Sequence, residues 1–134
     1  MTLFQIAALY IALNMLLNPV LMYRVGKVRM KEKISLGDGD NPAMLSRIRA
    51  HGNFSETAPL ALIGLIGLAM LGAHPLVMHL FGAAFLIGRL LHAHGMAQKH
   101  SNGKGRFYGT IMTIFTYIGT ALTLLFLIFT FNGS

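Results

Sequence analysis

The chain has 134 residues, of which 54% are hydrophobic and 11% are charged, and it contains no cysteine. Its mean hydropathy is +0.62. Soluble domains carry about 25% charged residues, so this composition indicates a membrane protein rather than a soluble one. The lack of cysteine excludes disulfides and thiolate catalysis by the protein's own side chains. If a thiol takes part in any chemistry here, it must arrive with a substrate.

Apolar segments follow one another along the whole chain. A helix needs about 20 apolar residues to cross the hydrocarbon core of a bilayer, and each segment approaches or exceeds that length. The second segment reaches this length only if it includes the polar residues that precede its apolar part. We therefore predict an all-α membrane protein with a single domain, residues 1–134, folded as a four-transmembrane-helix bundle. The predicted helices span residues 2–24, 43–73, 75–98 and 106–131.

The net charge of +7 is distributed unevenly between the connections. Seven lysines and arginines lie between the first and second segments, and three lie between the third and fourth. The hairpin at 72–75 and both termini hold none. Because basic loops stay in the cytoplasm, we expect both long loops inside and both termini outside. Charges placed this way favour contact with membrane lipids and exclude nucleic acid as a partner.

The stretch SRIRAHGNFSE at 46–56 places polar residues at the head of the second apolar segment. At 3.6 residues per turn, Arg49, Asn53 and Glu56 fall at i, i+4 and i+7, on one face of a helix. Intramembrane charges face a bundle interior, a cavity or each other. Two interpretations stay open: an internal Arg–Glu pair that fixes helix packing, or a polar cavity for a zwitterionic ligand.

The third and fourth helices add further polar residues near the same end of the bundle. Arg89 and His92 are i, i+3 neighbours that can share an inward face. Arg106 lies where the second basic loop meets the membrane, where snorkelling to headgroups is the simpler explanation. The histidines in HAH at 92–94 splay apart on a helix, and Glu56 is committed to arginine, so we expect no metal site.

Three motifs resemble the MAPEG family, the membrane-associated proteins in eicosanoid and glutathione metabolism. RAHGNFSETAP at 49–59 is similar to a family signature of the form RAxxNxxE followed by proline. GRLLHAHG at 88–95 resembles a stretch on the family's third helix. Arg106, fourteen residues after His92, matches an arginine of microsomal glutathione transferases. The length, the four spans and the loop sizes agree over nearly the whole chain.

The resemblance implies a homotrimer that binds glutathione as co-substrate between adjacent subunits near the cytoplasmic face. It also implies a glutathione-dependent transferase or peroxidase that acts on lipophilic electrophiles or lipid hydroperoxides. Arg106 would be catalytic and stabilise the glutathione thiolate. The residues implied in glutathione binding are Arg29, Arg49, His51, Asn53, Glu56, Arg89 and His92.

Departures from the family pattern keep other functions open. Thr57 stands where many eicosanoid-type members have a tyrosine, and His92 and Met96 stand where some members have tyrosines on the third helix. These differences favour a generic member, in a bacterial inner membrane, over a leukotriene- or prostaglandin-specific enzyme. A non-catalytic lipid-binding or scaffold protein of the same fold is the main alternative. A small four-span transporter is less favoured, because Glu56 is the one acid within the apolar segments and nearby arginines neutralise it.

Overall fold

The structure is a computed structural model, and it describes residues 1–97 and 103–130. Within those ranges the chain forms four α-helices and no strand, and all four are long and apolar enough to cross a membrane. The predicted all-helical fold is thereby confirmed. The helices are α1 (Leu3–Glu32), α2 (Pro42–Met70), α3 (Pro75–Ala97) and α4 (Lys104–Thr130). Lys99 and His100, in the predicted second basic loop, lie outside the described residues.

Local capping chemistry sets the start of α1. The Thr2 hydroxyl accepts from the Gln5 amide at 3.2 Å, and the Gln5 side chain accepts from the Thr2 amide at 2.8 Å. This reciprocal capping box satisfies two N–H groups that the first turn leaves without helical partners. The helix then runs to Glu32, well past residue 24, where the apolar segment led us to expect its end. Its basic final turns continue the helix until Lys33 adopts a left-handed conformation.

The start of α2 also follows from its sequence. The Asn41 side chain accepts from the amides of Ala43 and Met44 at 2.9 and 3.0 Å. Pro42 takes the first helical position, where its missing N–H removes no hydrogen bond. The helix ends at Met70, and a short turn with Gly72 at φ 70° leads directly into α3.

Contacts between the helices define an up-down-up-down bundle. His51 of α2 meets Asn18 of α1, and Arg89 of α3 reaches Asn53 of α2. The basic connections therefore share one end of the bundle, which we call the loop end, and the α2–α3 turn forms the other, the hairpin end. The buried cluster nearer the hairpin end is almost wholly apolar. Its largest side chains are Ile6, Tyr10, Leu65, Leu68, Met78 and Phe81.

Candidate functional site

Glycines bring α3 and α4 into backbone contact at the loop end. A Cβ added at Gly95 would collide with the backbone of Gly105 and Arg106, and one added at Gly109 would collide with the Gly88 carbonyl and with His92. Small residues spaced in this way let membrane helices approach closely. The approach places Arg106, in the first turn of α4, beside the last turns of α3.

A pocket of about 320 Å³ opens between α2, α3 and α4 at this end. Helix α2 supplies three polar residues on one face, spaced i, i+3 and i+7, while α3 and α4 supply the opposite wall. Ser46 also donates a hydrogen bond to the Met96 carbonyl, which ties α2 to α3 at the rim. The lining residues are Pro42, Leu45, Ser46, Arg49, Asn53, His92, Met96 and Arg106. Four of the predicted site residues thus converge: Arg49, Asn53, His92 and Arg106.

Arg89 lies directly behind the pocket and is only 2% exposed. One terminal nitrogen donates to Asn53 Oδ1 at 2.5 Å and to Thr57 Oγ1 at 3.3 Å, and the other donates to the Gly109 carbonyl at 3.2 Å. Its guanidinium also lies 5.8 Å from the centre of the Phe85 ring. Within the described ranges no carboxylate pairs with it. Neutral acceptors from α2 and α4 therefore hold a buried cation in place.

The Arg89 contacts fix how Asn53 faces the pocket. Because Asn53 Oδ1 accepts from Arg89, its amide NH₂ is the group that remains for a ligand. Thr57 supports this arrangement, since its hydroxyl donates to the Asn53 carbonyl at 2.7 Å. Tyr117 of α4 in turn donates to the Thr57 carbonyl at 2.7 Å. The pocket thus presents hydrogen-bond donors held by a network that spans three helices.

The Arg49–Glu56 pair differs from the internal packing pair considered above. Both residues belong to α2, their nitrogen and oxygen lie 3.9 Å apart, and the side chains are 56% and 60% exposed. A pair within one helix and open on its outer side cannot fix the packing of two helices. In a single copy of the chain the pair therefore does not join two helices, because the i to i+7 reach keeps both charges on the surface of α2.

Two of the predicted site residues lie away from this pocket. Arg29, near the end of α1, donates to the carbonyl of Gly37 at 3.0 Å and holds the connection between α1 and α2. His51 faces α1 instead, with its Nε2 at 3.0 Å from Asn18 Oδ1. Neither side chain lines the pocket in a single copy of the chain, and Glu56 does not line it either.

The charge of the lining determines what the pocket can bind. It has two arginines and one histidine, and no acidic side chain among the described residues. Guanidinium groups bind carboxylates through paired hydrogen bonds, and they also stabilise a neighbouring thiolate. No group of three metal-ligating side chains occurs in the described part of the chain. The pocket is therefore suited to an anionic organic ligand.

Sequence reasoning overlooked three contributors to this site. The glycine contacts between α3 and α4 were signalled by the spacing of Gly105 and Gly109, a GxxxG pattern typical of close helix pairs. Tyr117 lies within the apolar run of α4, yet it is half-buried and its hydroxyl donates to the Thr57 carbonyl of α2. Ser46 gave no signal in the sequence, because its partner is a backbone carbonyl of another helix.

Fold and site together define a class: a membrane protein of four antiparallel helices with a donor-lined cationic pocket at its loop end. Comparison with protein families matches residues 7–126 to the MAPEG family. The chain is also 36% identical over 95 residues to the inner membrane protein YecN of Escherichia coli strain K12, and equally to YecN of strain O6:H1. Each match covers 71% of this chain and 72% of the relative. The chain belongs to the MAPEG family. No solved structure matches it significantly.

Proposed function

We propose that this protein binds glutathione in the loop-end pocket and uses its thiol on lipophilic electrophiles or lipid hydroperoxides. The observation that carries the proposal is the convergence of Arg49, Asn53, His92 and Arg106, from three helices, on one pocket. Membership of a family that includes glutathione transferases supports the choice of ligand. The four membrane-length helices and the inner-membrane relatives support a multi-pass protein of a bacterial inner membrane.

The pocket suits glutathione in size and in charge. Its volume of about 320 Å³ falls within the range of about 300–1,000 Å³ typical of small-molecule sites. Glutathione carries two carboxylates and two amides at neutral pH. Arg49 offers a bidentate partner for a carboxylate, and the Asn53 NH₂ offers a donor to a carbonyl oxygen. Glu56, which pairs with Arg49 on α2 and does not line the pocket in a single copy of the chain, is assigned to the ammonium group.

Arg106 is assigned to the thiol. A free thiol has a pKa of about 8.5 and is mostly protonated at neutral pH, and a nearby guanidinium lowers that pKa. In a transferase reaction, the thiolate sulfur forms a bond to carbon and the leaving group departs with its electron pair. In a peroxidase reaction, the sulfur attacks the O–O bond and releases an alcohol. A second glutathione then yields the disulfide and water.

A trimer and a cytoplasmic-facing site belong to the same proposal. Arg49 and Glu56 are more than half exposed on α2, and exposed charges at membrane depth are expensive unless protein covers them. A neighbouring copy would cover them and bring its own Arg29 toward the pocket. By the positive-inside rule, the basic residues of the loop end favour a cytoplasmic position for that end, where soluble glutathione is available.

Calorimetry and turnover test the proposal on the purified protein. Wild-type protein should bind glutathione and conjugate it to chlorodinitrobenzene or reduce a lipid hydroperoxide. Arg106→Ala should lower kcat by about 100-fold or more, the scale of losing one preorganised charge contact in a transition state. It should leave the thermal unfolding temperature unchanged, because Arg106 is exposed.

The matched control is Lys104→Ala, which removes a cation two residues away that does not line the pocket. It should keep wild-type turnover. Equal turnover in the Arg106 variant would remove the catalytic role of Arg106, and an absence of glutathione binding would refute the proposal. Binding without turnover would favour the alternative of a non-catalytic lipid-binding or scaffold protein with the same fold.

A further inference from the structure

A groove between α1 and α3 is lined by two matching stripes of side chains. Both helices run from the hairpin end to the loop end, so the stripes lie side by side in the same direction. The α1 stripe runs from Leu17 to Arg24 and the α3 stripe from Ile87 to His94, each with residues at i, i+3, i+4 and i+7. Each stripe covers two helical turns, about 10 Å. The groove is therefore apolar along most of its length and polar at its loop end.

The groove is open on its outer side. Leu17, Leu21 and Ala93 form its floor and are at most 9% exposed, whereas Val20 and Leu90 on its rims are 53% and 49% exposed. Its volume is about 530 Å³. Both helices are long and apolar enough to span a membrane, and the bilayer core contains no water that could fill such a groove. An acyl chain therefore suits its apolar part.

Arg24 closes the groove at the loop end. It is the first cation after the apolar part of α1, and it is half-buried, with no hydrogen bond or ion pair to any described residue. Its nitrogens keep accessible surface, unlike the buried Nη1 of Arg47. Arg47 of α2 lies close enough to repel it. Cations at membrane depth pair with anions or reach lipid headgroups, so Arg24 is available to an anion that enters from the membrane.

The charge of the lining selects among lipid headgroups. No acidic side chain of the described residues lines the groove, so the ammonium of a zwitterionic headgroup would have no counter-charge there. A second copy of the chain offers few acids, since two of its four, Glu32 and Glu56, already pair with basic residues. Basic pockets between membrane helices bind anionic lipid headgroups. A phospholipid with net negative charge therefore matches this groove best.

We propose that the groove between α1 and α3 binds one anionic phospholipid. The guanidinium of Arg24 donates to the phosphate, a geometry in which arginine forms paired hydrogen bonds. One acyl chain lies along the floor formed by Leu17 and Leu21. The groove shares no lining residue with the loop-end pocket, and the inference does not depend on the proposed glutathione chemistry.

A tryptophan reporter tests the site, because the chain has no tryptophan of its own. Ile87→Trp places the reporter on the groove, and Ile114→Trp places it on α4, which makes no contact with α1 within the described ranges. The two isoleucines are matched, since each is 47% exposed. Each full-length variant is reconstituted in bilayers of phosphatidylglycerol and phosphatidylcholine, one of which carries brominated acyl chains that quench tryptophan fluorescence on contact. Exchanging the brominated lipid gives the ratio of the two affinities at each position.

The reporter on the groove should detect a preference for phosphatidylglycerol. In Ile87→Trp we expect this lipid to bind roughly fivefold more tightly than phosphatidylcholine, the scale of one cation beside an anionic headgroup. In Ile114→Trp the ratio should be close to one. Adding Arg24→Gln to Ile87→Trp should abolish the preference. Adding Lys104→Gln instead removes an equal charge from the loop end on α4 and should preserve it.

Three results would overturn the proposal. Equal ratios at the two reporter positions would assign the preference to the overall charge of the protein, and an unchanged ratio in Arg24→Gln would remove the role of that arginine. Quenching in Ile114→Trp but by neither lipid in Ile87→Trp would mean that another copy of the chain covers the groove. Arg24→Gln should bind glutathione as the wild type does, because Arg24 does not line the loop-end pocket. Failure of one proposal is therefore distinguishable from failure of the other.

Discussion

The two ends of the bundle hold their helices together by different means. At the hairpin end, Leu65, Leu68 and Met78 are fully buried among other apolar side chains. At the loop end, the buried Arg89 joins three helices through hydrogen bonds to Asn53, Thr57 and the Gly109 carbonyl. Helix packing at the hairpin end therefore depends on the complementary shapes of apolar side chains. Helix packing at the loop end depends on the geometry of hydrogen bonds.

This difference separates stability from function within one small domain. Tightly packed apolar side chains stabilise the fold, because the atoms that line a void lose van der Waals contacts. A buried guanidinium stabilises less, since its desolvation offsets much of what its hydrogen bonds contribute. The Arg89 network instead holds Asn53 in one orientation beside the pocket. Variants at the two ends should accordingly have different consequences.

Leu68→Ala tests the hairpin end and should have the largest effect on stability. Leu68 is fully buried, and losing a buried leucine side chain costs about 2–5 kcal/mol in the free energy of unfolding. The folded fraction should still bind glutathione with wild-type affinity. Circular dichroism during heating and calorimetry measure the two quantities. Leu60→Ala, at a position 63% exposed, is the matched control and should change neither. Weakened glutathione binding in Leu68→Ala would show that the ends are coupled.

Gly95→Ala tests the loop end. Compared with Leu68→Ala, it should lower the free energy of unfolding less and weaken glutathione binding more. The new Cβ would collide with the backbone of Arg106, so α3 and α4 must separate at the pocket. Overpacking of this kind costs about 1–3 kcal/mol, and we expect glutathione affinity to fall at least tenfold. Gly52→Ala is the control, since its Cβ would meet nothing nearer than Glu56 Oε1 at 3.9 Å. Wild-type affinity in Gly95→Ala would contradict the proposed pocket.

Glu56→Gln should have the smallest effect on stability. The pair with Arg49 is long and more than half exposed in a single chain, and exposed pairs contribute about 0–1 kcal/mol. Thermal unfolding of the protein at a dilution that leaves it monomeric should therefore match that of the wild type. A clear decrease in the unfolding temperature that appears only at higher protein concentration would indicate that a neighbouring copy buries the pair. A large decrease in the unfolding temperature of the monomer would contradict the exposed position of the pair.

Much of the fold could be predicted because it follows from local chemistry. Long apolar segments, the Asn41–Pro42 helix start and the i, i+4, i+7 spacing of the α2 stripe all concern residues close together in the chain. The end of α1 was missed, because hydropathy reports where a membrane segment ends and not where helical hydrogen bonding stops. Family motifs pointed to Arg49, Asn53, His92 and Arg106 before any contact between helices was known.

Contacts between helices could not be predicted from the sequence. Helical periodicity tells which residues share a face, but it does not tell which face of one helix meets which face of the next. The Arg89–Asn53 bond, the approach of Gly95 to Arg106 and the turn of His51 toward Asn18 all depend on the rotation and depth of packed helices. The sequence by itself determined four membrane-length helices and their polar stripes. Tertiary packing decided that one stripe lines a donor-rich pocket, because the rotation and depth of the packed helices determine which faces meet.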